Sequence, residues 1–319
     1  MPTLSLSAHT LPRCSSATPR DMPLAAFPKC YLDALLTERS MTLEDWIELA
    51  ARELELDGLE LYTPLVAAHT PGELRGVREQ MEQRGLRMPM LCHSPDFTQP
   101  QAFDRLTEIE RQRDAIRRTR ALGGRYCRIL SGQHRPGLDR AHGIELVVDS
   151  FRAVLDDAAR HEVVLVFEHH YKDGSWQYPE FALDPEIYLE ILERVRDSEW
   201  LAVNYDPSNA LIAGADPLEL LERVKDRVAT MHASDRHVVD GTLAELRAQG
   251  PHTGYAPQLR HGVIGEGVND FDRILATLRQ AGFRGWISIE DGDDADHGIE
   301  HLQRSIAFLR ERMAAHQLP

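Results

Sequence analysis

Short apolar runs alternate with longer stretches in which apolar residues recur every three or four positions, from about Leu24 to Arg310. The runs are "LAAFPKCYL" (24–32), "GLELY" (58–62), "RMPMLCHS" (87–94), "YCRILSG" (126–132), "VVLVFEHH" (163–170), "LAVNYD" (201–206), "VATMHAS" (228–234) and "GWISIED" (285–291). Their length and apolar content predict eight β-strands. The stretches between them read as helices. Thr42 with Asp45 three positions on is a capping box, and Trp46, Leu49, Ala50 and Leu54 repeat at helical spacing. The same pattern predicts helices over 71–84, 101–121, 143–161, 184–196, 217–225, 269–281 and 296–314.

Strictly alternating strands and helices mean an α/β fold with a parallel sheet. Eight such units over about 290 residues predict a single-domain (β/α)8 TIM barrel over 24–319, with a doubly wound sheet of fewer strands as the structural alternative. Residues 1–23, rich in Ser, Thr and Pro, are set apart as an N-terminal extension. The longest departure from the repeat is 235–268, "DRHVVDGTLAELRAQGPHTGYAPQLRHGVIGEGV", which in a barrel would belong to the face where the active site is built.

Composition narrows the picture. With Lys+Arg 36 against Asp+Glu 51 the net charge is -15, which opposes nucleic acid and anionic membrane surfaces as partners. The sequence shows neither a membrane-length apolar run nor a secretory leader in its first twenty residues, so a cytoplasmic location is expected. Cys14, Cys30, Cys92 and Cys127 show no CxxC pairing, and neither disulfides nor a cysteine metal site is expected.

The candidate chemistry lies at strand ends. "VVLVFEHHYKDGSW" is an apolar strand that stops at a carboxylate, two histidines, a tyrosine and a lysine. Glu168 ends the fifth strand, Asp206 the sixth, His232 the seventh and Glu290 the eighth. Their separations of 38 (168 to 206), 26 (206 to 232) and 58 residues (232 to 290) each span one strand–helix unit, the last lengthened by the long loop. One carboxylate at a strand end is an ordinary cap or surface ion pair. Three carboxylates and a histidine on successive strands, whose ends converge on one mouth, form a candidate metal site. Three carboxylates and one imidazole favour Mn²⁺ or Mg²⁺, with Co²⁺ or Zn²⁺ able to bind, and Mn²⁺ is the expected ion.

"VFEHH", "VNYDPSNALIAGADPLELLERVKDRVATMHASD" and "HGVIGEGVNDFDRILATLRQAGFRGWISIEDG" together resemble the xylose isomerase-like TIM barrels, which include sugar epimerases of the D-tagatose 3-epimerase type, inosose-metabolising enzymes and endonuclease IV. The resemblance implies the same four metal ligands, Glu168, Asp206, His232 and Glu290. It also exposes a departure: Asn209 stands where endonuclease IV has a further histidine ligand and where the ketose epimerases have a histidine that holds substrate. That argues against a trinuclear nuclease.

Around the ligands, His93, His170, Lys172, Asn209 and Asp235 are expected to bind substrate. Strand alternation sends His170 to the side of Glu168 and His169 to the helices. Tyr171, Trp176, Tyr178 and Phe181 offer an aromatic wall suited to a sugar ring or a bulkier glycoside aglycone, the alternative being packing against the extension or a partner subunit. A cross-barrel ion pair explains Lys29 and Glu60 as easily as catalysis does, and neither is taken as catalytic; Gly265–Gly267 is read as a tight turn rather than a phosphate loop.

The expected activity is that of a divalent-metal-dependent sugar or polyol isomerase or epimerase working through an enediolate, with Glu168 and Glu290 as the acid/base pair. The alternative is a metal-dependent lyase or dehydratase acting on a keto sugar, inosose or 3-keto glycoside; a third is a catalytically silent barrel that binds a polyol or a partner subunit. The overall acidity and the lack of an Arg cluster point to an unphosphorylated substrate. A homo-oligomer is in keeping with the fold.

Overall fold

The computed structural model describes residues 22–248, 258–290, 292 and 294–318. The expected extension, 1–23, therefore lies outside the described residues save for its last two, and so does Cys14. Met22 is already buried, and its carbonyl accepts a hydrogen bond from Arg310 at 3.3 Å.

Eight parallel strands close into a barrel. They are Leu24–Ala26, 58–62, Met90–Cys92, Tyr126–Ile129, Val164–Glu168, Leu201–Tyr205, Val228–Ala233 and Trp286–Ile289. Each pairs with its sequence neighbour, and the first pairs with the eighth through Leu24↔Ile287 and Ala26↔Ile289. The second strand is the seam. Its first half, Gly58–Leu59, pairs with the first strand, and its second half, Leu61–Tyr62, pairs with the third, so that Glu60 sits at the change of partner. The doubly wound alternative is thereby set aside.

Helices cover the outside in the predicted order: Leu43–Glu53, Pro71–Gln83, Ala102–Ala121, Arg140–His161, Pro185–Arg194, Pro217–Val224, Phe271–Gln280 and Gly298–Ala315. Their starts are chemical. Thr42 with Asp45 and Thr70 with Glu73 make complete capping boxes, satisfying amides that have no partner within the helix. Asp184, Asp206 and Asp216 each cap a helix whose first residue is proline, which needs no amide partner there.

Alternation along the strands sorts the core. Leu165 and Phe167 face the helices and join the main cluster between barrel and helices, whereas Val164 and Val166 join Met90, Cys92 and Ala202 in a smaller interior one. The interior turns polar towards the C-terminal ends of the strands, where Thr230 donates to Asn204 at 2.8 Å. Several expected strands are shorter in the structure, and the long loop has structure of its own. The run 24–32 is strand only as far as Ala26, because Pro28 lacks an amide to continue the ladder; Lys29–Tyr31 is a 3-10 turn. The run 126–132 is strand only to Ile129. The long loop contains a hairpin, Arg236–Val238 against Leu259–His261, and a short helix, Leu243–Ala248. No described helix is long and apolar enough to cross a membrane.

Two glycines test this packing from opposite sides. A Cβ on Gly285, at the entry to the eighth strand, would lie 1.9 Å from the carbonyl oxygen of Ala229 on the seventh, whereas one on Gly76, inside a helix, would meet nothing within 4 Å. Gly285→Ala is expected to lose about 1–3 kcal/mol in urea denaturation, and Gly76→Ala to gain about 0.5–1 kcal/mol.

Candidate active site

The same alternation that buries Val164 and Val166 carries Glu168 into the barrel. Asp206 follows the sixth strand directly, His232 lies in the seventh and Glu290 follows the eighth. Each of the four offers a ligand atom, and these atoms all lie within 4.8 Å of one another in a fully buried cluster.

His232 is at the centre. Its Nδ1 lies 3.1 Å from Glu168 Oε1 and 3.0 Å from Glu290 Oε2, while Nε2 lies 2.8 Å from Glu60 Oε2. Burial works against a charged imidazole, but Glu168, Glu60 and Glu290 more than offset it and hold its pKa well above the ordinary histidine value. Burial likewise opposes ionisation of the glutamates. For Glu168 it is outweighed by His232 and Arg128, which draw the carboxyl down to about 2; for Glu290, by Lys29 and His232. Asp206 goes the other way: burial, then the charges of Glu290 and Glu168, push it up to about 6. The cluster therefore holds more negative charge than its protein partners neutralise.

A divalent cation fits that donor set. Three carboxylates and an imidazole are oxygen-rich ligands suited to a hard or borderline ion, and Glu60 behind Nε2 completes the carboxylate–histidine arrangement that fixes a ligand's tautomer. Asp206 is itself oriented by Ser208 N at 2.8 Å, by Asn209 Nδ2 at 2.8 Å and by the Ser234 hydroxyl.

Above the cluster opens a cavity of about 170 Å³. Its lining includes Lys29, His170, Tyr171, Lys172, Asn209, Arg236 and His261 together with Asp206 and Glu290. His170 and Lys172 thus face it, with His170 backed by Glu180 at 3.5 Å. His169 points outward, its Nε2 2.7 Å from the Leu183 carbonyl. Asn209 serves both cluster and cavity: its amide reaches Asp206 and, at 3.4 Å, Glu168, while its Oδ1 accepts from Tyr171 N at 3.0 Å.

Other expected positions lie elsewhere. His93 does not line the cavity; its Nδ1 meets Thr63 Oγ1 at 3.2 Å. Burial, and then the Arg128 charge, lower its pKa to about 4. Asp235 accepts from the amides of Arg236, Gly265, Gly267 and Asn269 at 2.9–3.1 Å, so its carboxylate organises the long loop. Of the expected aromatic wall, Tyr171 alone lines the cavity; Phe181 is in the main core against Gly143, and Trp176 is buried. Lys29 and Glu60 do not pair with each other. Lys29 holds Glu290 at 3.1 Å and Glu60 holds His232, because the first strand ends early and Glu60 sits mid-barrel.

Arg128 escaped sequence reasoning. It is buried in the fourth strand, donating to Glu168 Oε2 at 3.0 Å and to Ser94 Oγ at 2.9 Å. The signal was a lone cation inside the apolar "YCRIL".

Residues 49–312 match the model of the Xylose isomerase-like TIM barrel. The chain belongs to that family. An inosose dehydratase of Clostridium botulinum is 20% identical over 286 residues, covering 84% of this chain and 90% of its own length. The first curated relatives, also named inosose dehydratase, are matched over only about half of their length. Among solved structures, a D-tagatose 3-epimerase-like protein has a TM-score of 0.72 at 18% identity, covering 93% of this chain and 98% of its own. The IOLI protein with a binding zinc atom has 0.71 at 16%, covering 92% and 99%.

Two expectations follow from the cluster. Because the folded state raises Asp206 above its unfolded value, its protonation stabilises the metal-free protein below about pH 4, and that stabilisation is lost as pH rises through about 6. Added Mn²⁺, which must displace protons, is expected to raise Tm more at pH 7.5 than at pH 5. Replacing Glu60 by Gln is expected to weaken Mn²⁺ binding by calorimetry about 10–100-fold without unfolding the protein; unchanged affinity would deny Glu60 its orienting role.

Proposed function

We propose that this chain is a divalent-metal-dependent enzyme that enolises a small polyhydroxylated ketone and, as its preferred outcome, expels the hydroxyl one carbon further on. Glu168, Asp206, His232 and Glu290 would hold the ion, with Mn²⁺ preferred and Zn²⁺, Mg²⁺ or Co²⁺ as substitutes. A cation there would stabilise the negative charge that develops on substrate oxygen when a proton leaves the neighbouring carbon.

One observation carries the choice between outcomes: the two glutamates are unequal. Glu168 is sealed beneath the cavity, one oxygen held by Arg128 and the other by His232 and Asn209, whereas Glu290 lines the cavity. Epimerisation needs a proton taken from one face and returned to the other. Of the two glutamates Glu290 alone lines the cavity, and Asp206, the other carboxylate there, is taken up by Ser208 N, Asn209 and Ser234, which favours one-base chemistry: Glu290 removes the α-proton, and the departing hydroxyl takes a proton from Lys29, whose ammonium lies 3.1 Å from Glu290, and leaves as water. The dehydratase names of the curated relatives agree with this order. Isomerisation is the second reading, since the same enediolate can be reprotonated by Glu290 at the adjacent carbon; the epimerase-type structural relatives keep it in view.

The test is incubation of the Mn²⁺-loaded protein in D₂O with 2-keto-myo-inositol, D-tagatose and a 3-keto glycoside. Deuterium at the carbon beside the carbonyl, with loss of water from at least one substrate, is expected, and Glu290→Gln should slow exchange at least about 100-fold. Configurational inversion without loss of water would favour a two-base epimerase; full exchange in the Glu290 variant would remove it as the base.

A further inference from the structure

Glu180 lies outside the metal-type cluster and is fully withdrawn from water. Burying a carboxylate is expensive unless both its oxygens are met, and only one of them is. Oε1 accepts from the Ser131 amide at 2.8 Å and from the Ser131 hydroxyl at 2.7 Å. Oε2 has no hydrogen-bond partner among the described residues. A glutamine would serve Ser131 equally well with its carbonyl oxygen, so it is the second oxygen that calls for a glutamate.

That oxygen faces Nδ1 of His170 at 3.5 Å, and Nδ1 is likewise buried without a hydrogen-bond partner among the described residues. The two atoms are complementary, because an ionised carboxylate only accepts and an imidazole nitrogen that carries the proton donates. Two buried polar atoms left open and facing one another are satisfied by each other. The backbone fixes their approach. Glu180 N donates to the Tyr171 carbonyl at 2.8 Å, next in sequence to His170, while Phe181 N donates to the Gly132 carbonyl at 2.7 Å and His134 N to the Pro179 carbonyl at 2.8 Å. The segment carrying Glu180 is thus stitched both to the residue beside His170 and to the run after the fourth strand. His170 itself lines the cavity. With its Nδ1 edge turned to Glu180, the opposite edge, which carries Nε2, is the one left towards the cavity.

We propose that Glu180 is a positioning residue: it holds the proton of His170 on Nδ1, so that Nε2 is presented bare to the cavity as a fixed acceptor for one hydroxyl of the substrate. A carboxylate behind an imidazole sets which ring nitrogen carries the proton. An acceptor at that place selects a polyol that offers a hydroxyl there and discriminates against one that offers a carbonyl or ether oxygen, whose lone pairs would oppose Nε2. The assignment deepens the enolisation reading and rests on it for the occupant being a polyhydroxylated ketone; the tautomer stands without it.

The experiment is a two-bond nitrogen–proton NMR spectrum of the full chain, labelled with ¹⁵N at histidine and loaded with diamagnetic Zn²⁺. It is recorded at about pH 8, where an ordinary imidazole is neutral and an ordinary carboxylate ionised, and the His170 signals are assigned by their loss in His170→Gln. The proton is expected on Nδ1. In Glu180→Gln the amide oxygen stays with the two Ser131 donors and the amide N–H meets Nδ1, so the proton is expected to move to Nε2. A wild-type ring protonated on Nε2 or on both nitrogens would overturn the positioning role, and this spectrum decides it even if the variant does not fold; an unchanged tautomer in a folded Glu180→Gln would overturn it as well. Adding 2-keto-myo-inositol or D-tagatose is expected to shift the Nε2 signal, and Glu180→Gln is expected to bind the shifting sugar at least about tenfold more weakly by calorimetry, with Zn²⁺ affinity unchanged. An unmoved Nε2, or equal binding by the variant, would overturn the acceptor role. Deuterium exchange by the Mn²⁺-loaded protein separates the two ideas: a shift at Nε2 without exchange on any probe sinks only the enolisation, and exchange with Nε2 unmoved sinks only the acceptor.

Discussion

The site is organised by a buried imidazole held between carboxylates. His232 has Glu60 on one nitrogen and both Glu168 and Glu290 on the other, all withdrawn from water. Isolated charges in such a place would be expensive, so every neighbouring element contributes to offsetting them. The fourth strand supplies Arg128, the turn after the first strand supplies Lys29, and the segments that follow the sixth and seventh strands supply the Asn209 and Ser234 donors. The barrel makes this arrangement available because its strand ends converge, and the arrangement in turn explains why the interior is apolar at one end and ionic at the other.

Much of the fold was legible because it follows from periodicity. Residues such as Trp46 and Ala50 mark a buried helical face, Thr42 and Thr70 mark helix starts, and Val164, Val166 and Glu168 share a side by simple alternation. The four strand-end residues could be read for the same reason: position along a strand converts directly into position around the mouth. Where the sequence misled, the missing information was three-dimensional. That Lys29 would turn towards Glu290 depends on Pro28 ending the first strand early. That Glu60 would meet His232 depends on where the second strand changes partners, which no local pattern records. Arg128 was passed over because one charge in a strand looks like an edge residue until its neighbours are known. Phe181 belongs to the core because Gly143 leaves room for its ring.

The long loop divides its labour in a way composition could not reveal. Asp235 is consumed by four backbone amides, so the carboxylate with the most site-like position builds the loop instead. Gly267 is what lets the chain come so close, since a Cβ there would lie 2.4 Å from the Asp235 carboxylate. The hairpin is held from below and presents Arg236 and His261 above.

The short helix Pro207–Ile212 begins at Asp206, which caps it, and reaches Asn209 within its first turn. Cap and proline fix the backbone there whatever side chain occupies 209. The side chain at 209 is thus presented on a fixed backbone, where its amide joins Asp206 and Glu168 beneath to the Tyr171 backbone beside the cavity. A change at 209 would alter what the mouth presents while the cap and the proline keep the backbone that presents it.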